Sequence, residues 1–217
     1  MVYMSITLYT WTTPNGYKVP ILLEELGLAY EIVPVNLGAK EQKAPEYLKL
    51  NPDGKIPTLT DQDGPGGSPI TIFESGAILW YLAEKTGKFL PQDAHGKYLA
   101  LEWLMFQMSS VGPMLGQAKH FRMDAPEQLA NPLKKFGDEA KRIYAVLDKR
   151  LSEADYLAGE YSIADIAAWP WVRNYAKHGV ELDDLPSVKR WFNVIGERPA
   201  VKAALAKVDA AVVQYKS

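Results

Sequence analysis

The 217-residue sequence contains no cysteine. Without a thiol the chain can form no disulfide bond, and it has no cysteine thiolate to act as a nucleophile. Any thiol chemistry carried out by this protein therefore depends on thiols that its ligands bring. We also expect no metal centre.

The sequence also lacks an excess of charge of either sign. It contains 24 Lys and Arg residues against 26 Asp and Glu residues, a formal net charge of -2. This balance provides no general attraction to nucleic acid or to an anionic membrane surface, so we expect neither partner.

Long apolar runs are missing as well. The longest candidate, at residues 77–83, is far shorter than the about 18 residues of a membrane span. The start of the chain lacks the charged-then-apolar pattern of a signal peptide. We therefore expect a cytoplasmic protein.

What is present is typical of a folded globular protein. Hydrophobic residues make up 47% of the chain and charged residues 23%, which is close to ordinary usage. The length corresponds to roughly one or two domains. We find no internal repeat, which excludes repeat folds.

Residues 1–87 predict a mixed sheet with helices packed on it. A strand pattern at 5–9 is followed by a turn-rich loop and by a helix at 16–26, which Gly27 ends. Residues 30–35 predict an edge strand because they include Pro34. A turn at 46–50, a strand after Pro57, a second strand near Ile70 and a helix ending at Gly87 complete a βαβ unit followed by ββα.

The second half of the chain predicts helices only. Residues 88–96 change to Gly, Pro, Lys, Gln and Asp without periodicity, as expected of a linker. From residue 97 onward each periodic segment has helical spacing. We therefore predict an α/β domain at 1–87, a linker at 88–96 and an all-α domain at 97–217.

Two short segments predict the walls of one binding site, which we call the cradle and define as residues 55–57 and 73–76. In the first wall, Pro57 is expected at the start of a strand, so Ile56 keeps free backbone groups. We predict a cis bond before Pro57, because it would turn these groups outward to pair with an extended peptide, although only about 5 to 6% of such bonds are cis.

The second wall joins a strand pattern to a helical pattern. Ser75 is the expected N-cap, where a hydroxyl and unpaired N–H groups suit an anion, and Glu74 offers its charge to an ammonium group. Together they suit the end group of an amino acid. Plain helix capping is the commoner explanation of Glu-Ser before a helix, and spacing alone does not decide.

Two features of the helical half need separate explanations. Ser162 and Asp165 have the spacing of a capping box, so we expect Asp165 to serve folding rather than substrate binding. Pro113 is expected to bend a long helix. Such a bend could shape a cleft for a second substrate near Gln117, His120 and Phe121, but a lone His beside an aromatic residue is more often a packing residue.

Six motifs carry a resemblance that covers the whole chain: TPNG at 13–16, KIP at 55–57, FESGAIL at 73–79, GPMLGQ at 112–117, YSIADIA at 161–167 and RPA at 198–200. In this order they resemble the cytosolic glutathione transferases, and most closely the bacterial nu class and its fungal nitrogen-regulator prion relatives. The resemblance implies a thioredoxin-like first domain, a helical second domain, a homodimer, and binding of glutathione or glutathione disulfide.

The resemblance also assigns roles to residues of this chain. It implies that the γ-glutamyl end of glutathione is held by Glu74 and Ser75, the cysteinyl backbone by Ile56, the glycyl end by Lys55 and Gln42, and the sulfur by Thr13 and Asn15. Thr and Asn can each donate a weak hydrogen bond to a thiolate, so only modest activation is expected.

The activity implied by the resemblance is reduction of disulfides by bound glutathione, with weak transferase and peroxidase activity. The lack of cysteine is compatible with it, because both thiols can come from glutathione. Two alternatives stay open: a transferase that conjugates electrophiles, and a glutathione-binding regulatory protein without catalysis. The physiological disulfide and the pathway are not specified by the sequence.

Overall fold

A computed structural model describes residues 5–125 and 129–216. The chain divides into two compact units. The first contains the residues up to Lys88 together with those from Arg198 onward, and the second runs from Phe89 to Glu197.

The first unit is built on a mixed sheet. Its described strands are β1 (Ile6–Thr10), β2 (Tyr30–Pro34), β3 (Thr58–Asp61) and β4 (Ile70–Phe73), in the order β2-β1-β3-β4. Strand β1 is parallel to β2 and antiparallel to β3, and β3 is antiparallel to β4. Strand β2 lies at an edge of the sheet, as predicted from Pro34. Proline has no backbone N–H to donate to a neighbouring strand, so it is tolerated in edge strands.

Helices cover this sheet. They are α1 (Pro14–Leu26), α2 (Pro45–Leu50), α3 (Ser75–Thr86) and, from the end of the chain, α10 (Pro199–Lys216), with short 3-10 turns at Glu41–Lys43 and Pro65–Gly67. Leu8, Leu22, Leu59 and Ile78 are completely buried, so the core lies between the sheet and α1 and α3. Residues 46–50 form part of helix α2 instead of the predicted turn, because Pro45 begins a helix there.

The second unit contains helices and no strand among its described residues. The helices are α4 (Ala94–Phe106), α5 (Gly112–Lys119), α6 (Ala130–Glu153), α7 (Ile163–Val172), α8 (Tyr175–His178) and α9 (Pro186–Gly196), with a 3-10 turn at Leu182–Asp184. Helix α7 is buried along almost its whole length. The predicted architecture, an α/β domain joined to an all-α domain, is confirmed.

Two π-helical turns flank the helix that contains Pro113. A π-helical turn at Gln107–Val111 separates α4 from α5, and Pro113 lies in the first turn of α5. A second π-helical turn, His120–Asp124, follows α5. Such turns accommodate one extra residue inside a helix and interrupt its regular hydrogen bonds.

The structure differs from the predicted domain boundaries at two places. Helix α4 begins at Ala94, inside the predicted linker. Helix α10 belongs to the first unit because it packs against α1, where Arg198 forms a bidentate ion pair with Glu25 and the Tyr17 hydroxyl donates to Asp209 at 2.5 Å. No helix in the described part of the chain has both the length and the apolar character needed to cross a bilayer.

Candidate functional site

Sheet topology brings the predicted site segments of the first unit to one edge. Tyr9 near the end of β1 pairs with Thr58 at the start of β3, and Thr58 pairs with Phe73 at the end of β4. The loop that follows β1, the residues before β3 and the residues after β4 therefore meet at the same end of the sheet. The two walls of the cradle are neighbours there, and the 13–16 loop lies beside them.

Helix α1 begins within this loop. Thr13 is its N-cap, and the Thr13 hydroxyl oxygen accepts a hydrogen bond from Gly16 N at 3.1 Å. A Cβ atom at Gly16 would lie 1.9 Å from the Trp11 carbonyl oxygen, so only glycine allows this close turn. Asn15 lies half-buried in the first turn. The helix thus starts two residues before the predicted position, because Thr13 caps it and Pro14 occupies its first position.

The first wall of the cradle has the predicted backbone. The Ile56–Pro57 peptide bond is cis, as predicted, and Pro57 directly precedes β3. The Lys55 carbonyl oxygen accepts hydrogen bonds from the Tyr47 hydroxyl and from Asn51 Nδ2, each at 2.7 Å. Tyr47 and Asn51 thereby hold the chain just before Ile56. The sequence analysis missed both residues, because it predicted a turn at 46–50, where Tyr47 lies on α2 and Asn51 directly follows that helix.

The backbone of Gln42 lies close to that of Gly54, the residue before Lys55. A Cβ atom at Gly54 would lie 2.8 Å from the Gln42 carbonyl oxygen. The Lys55 side chain is 73% exposed, and Asp53 at 2.9 Å raises its pKa through a hydrogen bond and through its charge. Among the described residues the buried Gln42 Oε1 has no hydrogen-bond partner.

The second wall differs from the prediction in its cap. Glu74, not Ser75, is the N-cap of α3, and its backbone has the left-handed φ of 69°. Such a conformation is costly for a residue with a Cβ atom and is found preferentially at ligand sites. Glu74 is exposed, whereas Ser75 is buried as the first residue of the helix. Ser75 already belongs to α3 as its first residue, so it does not occupy the cap position.

The inward partner of Ser75 is Lys18, which sequence reasoning missed. Lys18 Nζ donates to Ser75 Oγ at 3.2 Å, and Lys18 is completely buried. Burial lowers the pKa of Lys18 to about 7, although the charge of Glu74 acts in the opposite direction. The apolar pattern of α1 includes Val19 but gives no indication that the neighbouring Lys18 is buried.

The predicted second-substrate residues lie in the second unit. Gln117 on α5 and His120 in the π-helical turn are exposed, and Phe121 is half-buried. The Phe121 ring stacks on Phe136 at a centroid distance of 5.2 Å, and His120 meets Phe121 edge to face. A cavity of about 180 Å³ in this unit, with Arg122 and His178 in its lining, includes none of the three predicted residues.

Asp165 has the structural role that the capping-box spacing predicts. It is completely buried and accepts hydrogen bonds from Ser162 N at 3.0 Å, Leu157 N at 2.9 Å and Trp191 Nε1 at 2.8 Å. These partners join the start of α7 to α9 and to the residues before α7. All of these partners are protein groups, which is consistent with a structural role for Asp165.

Comparison with known families identifies the chain. The model of the glutathione S-transferase N-terminal domain matches residues 4–84, and the model of the C-terminal domain matches residues 111–199. The chain belongs to the glutathione S-transferase family. Within residues 5–125 and 129–216, no group of three or more His, Asp and Glu side chains has the arrangement needed to hold a metal ion.

Relatives of this glutathione S-transferase include two curated proteins. It is 45% identical over 206 residues to the disulfide-bond oxidoreductase YfcG of Escherichia coli (strain K12), covering 94% of this chain and 96% of YfcG. It is 32% identical over 234 residues to the transcriptional regulator URE2 of Saccharomyces cerevisiae, covering 89% of this chain and 65% of URE2. The family resemblance drawn from the motifs, including its fungal branch, is confirmed.

A solved structure also superimposes closely on this glutathione S-transferase. It is a glutathione transferase from Pseudomonas putida with one glutathione disulfide bound per protein subunit. The TM-score is 0.89 and the sequence identity 45%, with 93% of this chain and 91% of that chain covered. The predicted fold, a thioredoxin-like domain with a helical domain, is thus confirmed.

Proposed function

We propose that this protein is a glutathione-dependent disulfide-bond oxidoreductase that uses the thiols of bound glutathione. The observation that carries the proposal is the cradle at one edge of the sheet, next to Thr13 and Asn15, in a chain without cysteine. The name of YfcG and the glutathione disulfide bound to the Pseudomonas putida protein support the same chemistry.

Each part of the site suits one part of glutathione. We assign the ammonium group of the γ-glutamyl end to Glu74, whose exposed carboxylate can form a charge-assisted hydrogen bond. We assign the neighbouring carboxylate to Ser75 and to the N-terminus of α3, where backbone N–H groups and the helix dipole favour an anion. The backbone of Ile56 pairs with the cysteinyl residue. The glycyl carboxylate is left for Lys55 and Gln42.

The sulfur lies, in this proposal, at the start of α1. Asn15 in the first turn and the helix N-terminus favour a thiolate over a thiol, and the hydroxyl of Thr13 adds a weaker donor. Thr13 and Asn15 thus position the reactive sulfur and stabilise the charge that develops on it.

The proposed reaction balances with two glutathione molecules. The first thiolate attacks one sulfur of the substrate disulfide, so that a mixed disulfide forms and one substrate thiolate leaves. A second glutathione thiolate then attacks the glutathione sulfur of the mixed disulfide, which releases glutathione disulfide and the second substrate thiolate. The substrate is reduced by two electrons, two glutathione molecules are oxidised, and the thiolates that leave take up the protons released when glutathione ionises.

The decisive test compares two activities of the purified protein. We expect glutathione-dependent reduction of a model dialkyl disulfide to exceed conjugation of glutathione to a model aryl halide, when each is divided by its uncatalysed rate. Faster conjugation than disulfide reduction would instead favour a transferase for electrophiles. Binding of glutathione without either turnover would reject the proposal.

Binding without turnover is the second candidate function. Similarity to URE2 favours it, because that relative is named a transcriptional regulator rather than an enzyme. In that case the cradle would hold glutathione as a regulatory ligand. The comparison of the two activities separates these functions.

Three further assignments follow from the family resemblance. We propose membership of the nu class, a homodimer and a cytoplasmic location. Sedimentation equilibrium of the purified protein tests the homodimer, for which a mass near twice the 24.2 kDa of the chain is expected.

A further inference from the structure

Lys18 is a buried charged residue to which the proposed reaction gives no role. It lies on α1, which packs against α3, and its side chain is completely buried. Lysine is almost never fully buried unless it has a partner. One of its partners is Ser75, at 3.2 Å, which is the residue proposed to bind the γ-glutamyl carboxylate.

The direction of this hydrogen bond determines what Ser75 can do. An ammonium group only donates, so Ser75 Oγ is the acceptor from Lys18. Any hydrogen bond from Ser75 to an anion must then use the hydroxyl hydrogen. Charged Lys18 therefore favours Ser75 as a donor to a carboxylate and adds a positive charge behind it.

Glu74 is an acidic group whose charge acts on Lys18. Glu74 precedes α3 and its charge favours the protonated lysine. Strand β1 carries Tyr9 as its one ionisable residue. The charged groups between α1 and α10 have partners of their own: Glu24 with Lys207, Glu25 with Arg198, and Asp209 with Tyr17.

We propose that Lys18 is a positioning residue of the glutathione site, which through Ser75 holds the anionic γ-glutamyl end and takes up a proton when that end binds. This inference rests on the proposed function, because it needs glutathione in the cradle. It adds a requirement that the proposed function does not contain, namely that affinity depends on the charge of one buried amine.

The proton uptake follows from the pKa of Lys18. Because burial lowers its pKa to about 7, the amine is partly neutral near neutral pH. A carboxylate bound at Ser75 favours the charged form, and an opposite charge nearby raises such a pKa by about one unit or more. With a one-unit rise, affinity falls about five-fold between pH 6 and pH 8, and binding at pH 7.5 takes up about half a proton per site.

Calorimetric titration with S-methylglutathione tests this directly. The probe has no thiol to ionise, and Lys18→Met titrated with the same probe corrects for any proton that its amino group takes up. Titration in buffers with different heats of ionisation measures the protons taken up. We expect the wild type to show the uptake and the pH dependence, and Lys18→Met to lose both and to bind about nine-fold more weakly at pH 6.

Two further variants keep the result interpretable. Lys49→Met removes an exposed lysine on α2, where Lys49 pairs with Glu46, and should change neither property. Ser75→Ala should weaken binding, and combining it with Lys18→Met should add little, because the two residues act through one contact. Lys18→Met is expected to fold, because the substitution replaces a buried amine, whose charge is unfavourable there, with an apolar side chain. Thermal unfolding checks this.

The possible outcomes separate the two proposals. Binding by the wild type without proton uptake, or uptake retained by Lys18→Met, overturns the role of Lys18 and leaves the proposed function standing. Binding with uptake but without disulfide reduction overturns the proposed function and leaves Lys18 in its role. No binding by the wild type overturns both. If Lys18→Met fails to fold, unchanged proton uptake by Ser75→Ala overturns the inference.

Discussion

Helices α3 and α7 both begin next to a serine and an acidic residue, yet the two starts are built in different ways. At α7, Ser162 Oγ accepts from Ala164 N at 3.3 Å, and Asp165 accepts from Ser162 N in return. At α3, the side chain of the N-cap Glu74 makes no capping hydrogen bond within the described residues. It is exposed, and its φ is 69°.

The difference favours the start of α3 over that of α7 as the proposed ligand site. An unsatisfied helix N-terminus has N–H groups that need an acceptor. The protein supplies an acceptor at α7 from its own side chain, Ser162. At α3 the side chain that could cap is displaced outward by a strained backbone, which keeps a charged group at the surface. A similar pair of residues therefore serves folding in one unit and, in our proposal, binding in the other.

Loss of Asp165 is expected to give the largest effect. Asp165→Ala leaves donors from Leu157, Ser162 and Trp191 buried without an acceptor. We expect the free energy of unfolding to fall by about 3 kcal/mol or more, because several buried partners lose their bonds together. Chemical denaturation measures this. Asp183→Ala, which removes an exposed partner of Lys189, should remain close to wild type.

The pH dependence of stability gives a second measure of the same residue. Burial raises the pKa of Asp165 from 3.8 to about 6, although its hydrogen bonds act in the opposite direction. The folded protein therefore binds this proton more tightly than the unfolded chain, so its contribution to stability is full below pH 3.8 and is lost as the pH rises through 6. Asp165→Ala should lack this fall between pH 4 and 6. An identical slope in both proteins would contradict the assignment.

Loss of Glu74 should affect binding rather than folding. Glu74→Ala removes the proposed partner of the ligand ammonium group, and we expect the binding free energy of glutathione to weaken by roughly 1.5 to 3 kcal/mol, the range of a charge-assisted hydrogen bond. Titration calorimetry measures it. Glu31→Ala, at an exposed position of the edge strand β2, is the matched control. An unchanged dissociation constant for Glu74→Ala would reject the cradle as the binding site.

The sequence predicted the order of strands and helices well, because turn residues and periodicity are local signals. Gly27 ends α1 with a φ of 67°, and Pro34 marks the edge strand, both as expected. The motifs also pointed to the cradle before the structure brought its two walls together. Ser75 shows where this reasoning stops. Whether its hydroxyl caps α3 or turns inward depends on Lys18, which is 57 residues away in the chain.

Two other features depended on distant packing. The C-terminal helix α10 belongs to the first unit through contacts with α1 that no local pattern indicates, such as the Arg198–Glu25 pair. Tyr47 on α2 and Asn51 directly after it hold the backbone before Ile56, and α2 is too short to show a clear period. Sequence patterns describe segments, whereas a site is formed by groups that several segments contribute.

A third helix start, that of α1, is where the proposed chemistry takes place. Asn15→Ala removes a group that interacts more strongly as negative charge develops on sulfur, so turnover should fall about ten-fold while glutathione affinity changes little. Steady-state disulfide reduction, together with calorimetric binding, separates these quantities. Asn193→Ala, at an exposed position of α9, is the control. A loss of affinity equal to the loss of turnover would show that Asn15 binds the ligand rather than the reacting sulfur.

Thr13 should give the smallest catalytic effect of the set, because its hydroxyl already has a structural task. Its oxygen accepts from Gly16 N at 3.1 Å, so only the hydroxyl hydrogen is left to meet a thiolate. Thr13→Ala should lower disulfide-reductase turnover by less than Asn15→Ala, while the lost cap lowers the free energy of unfolding by about 1 kcal/mol. Thr13→Ser keeps both the cap and the donor and should remain close to wild type in both measurements. If Thr13→Ala lowers turnover more than Asn15→Ala at equal folded fraction, the hydroxyl is the main donor to sulfur and the order of the two roles is reversed.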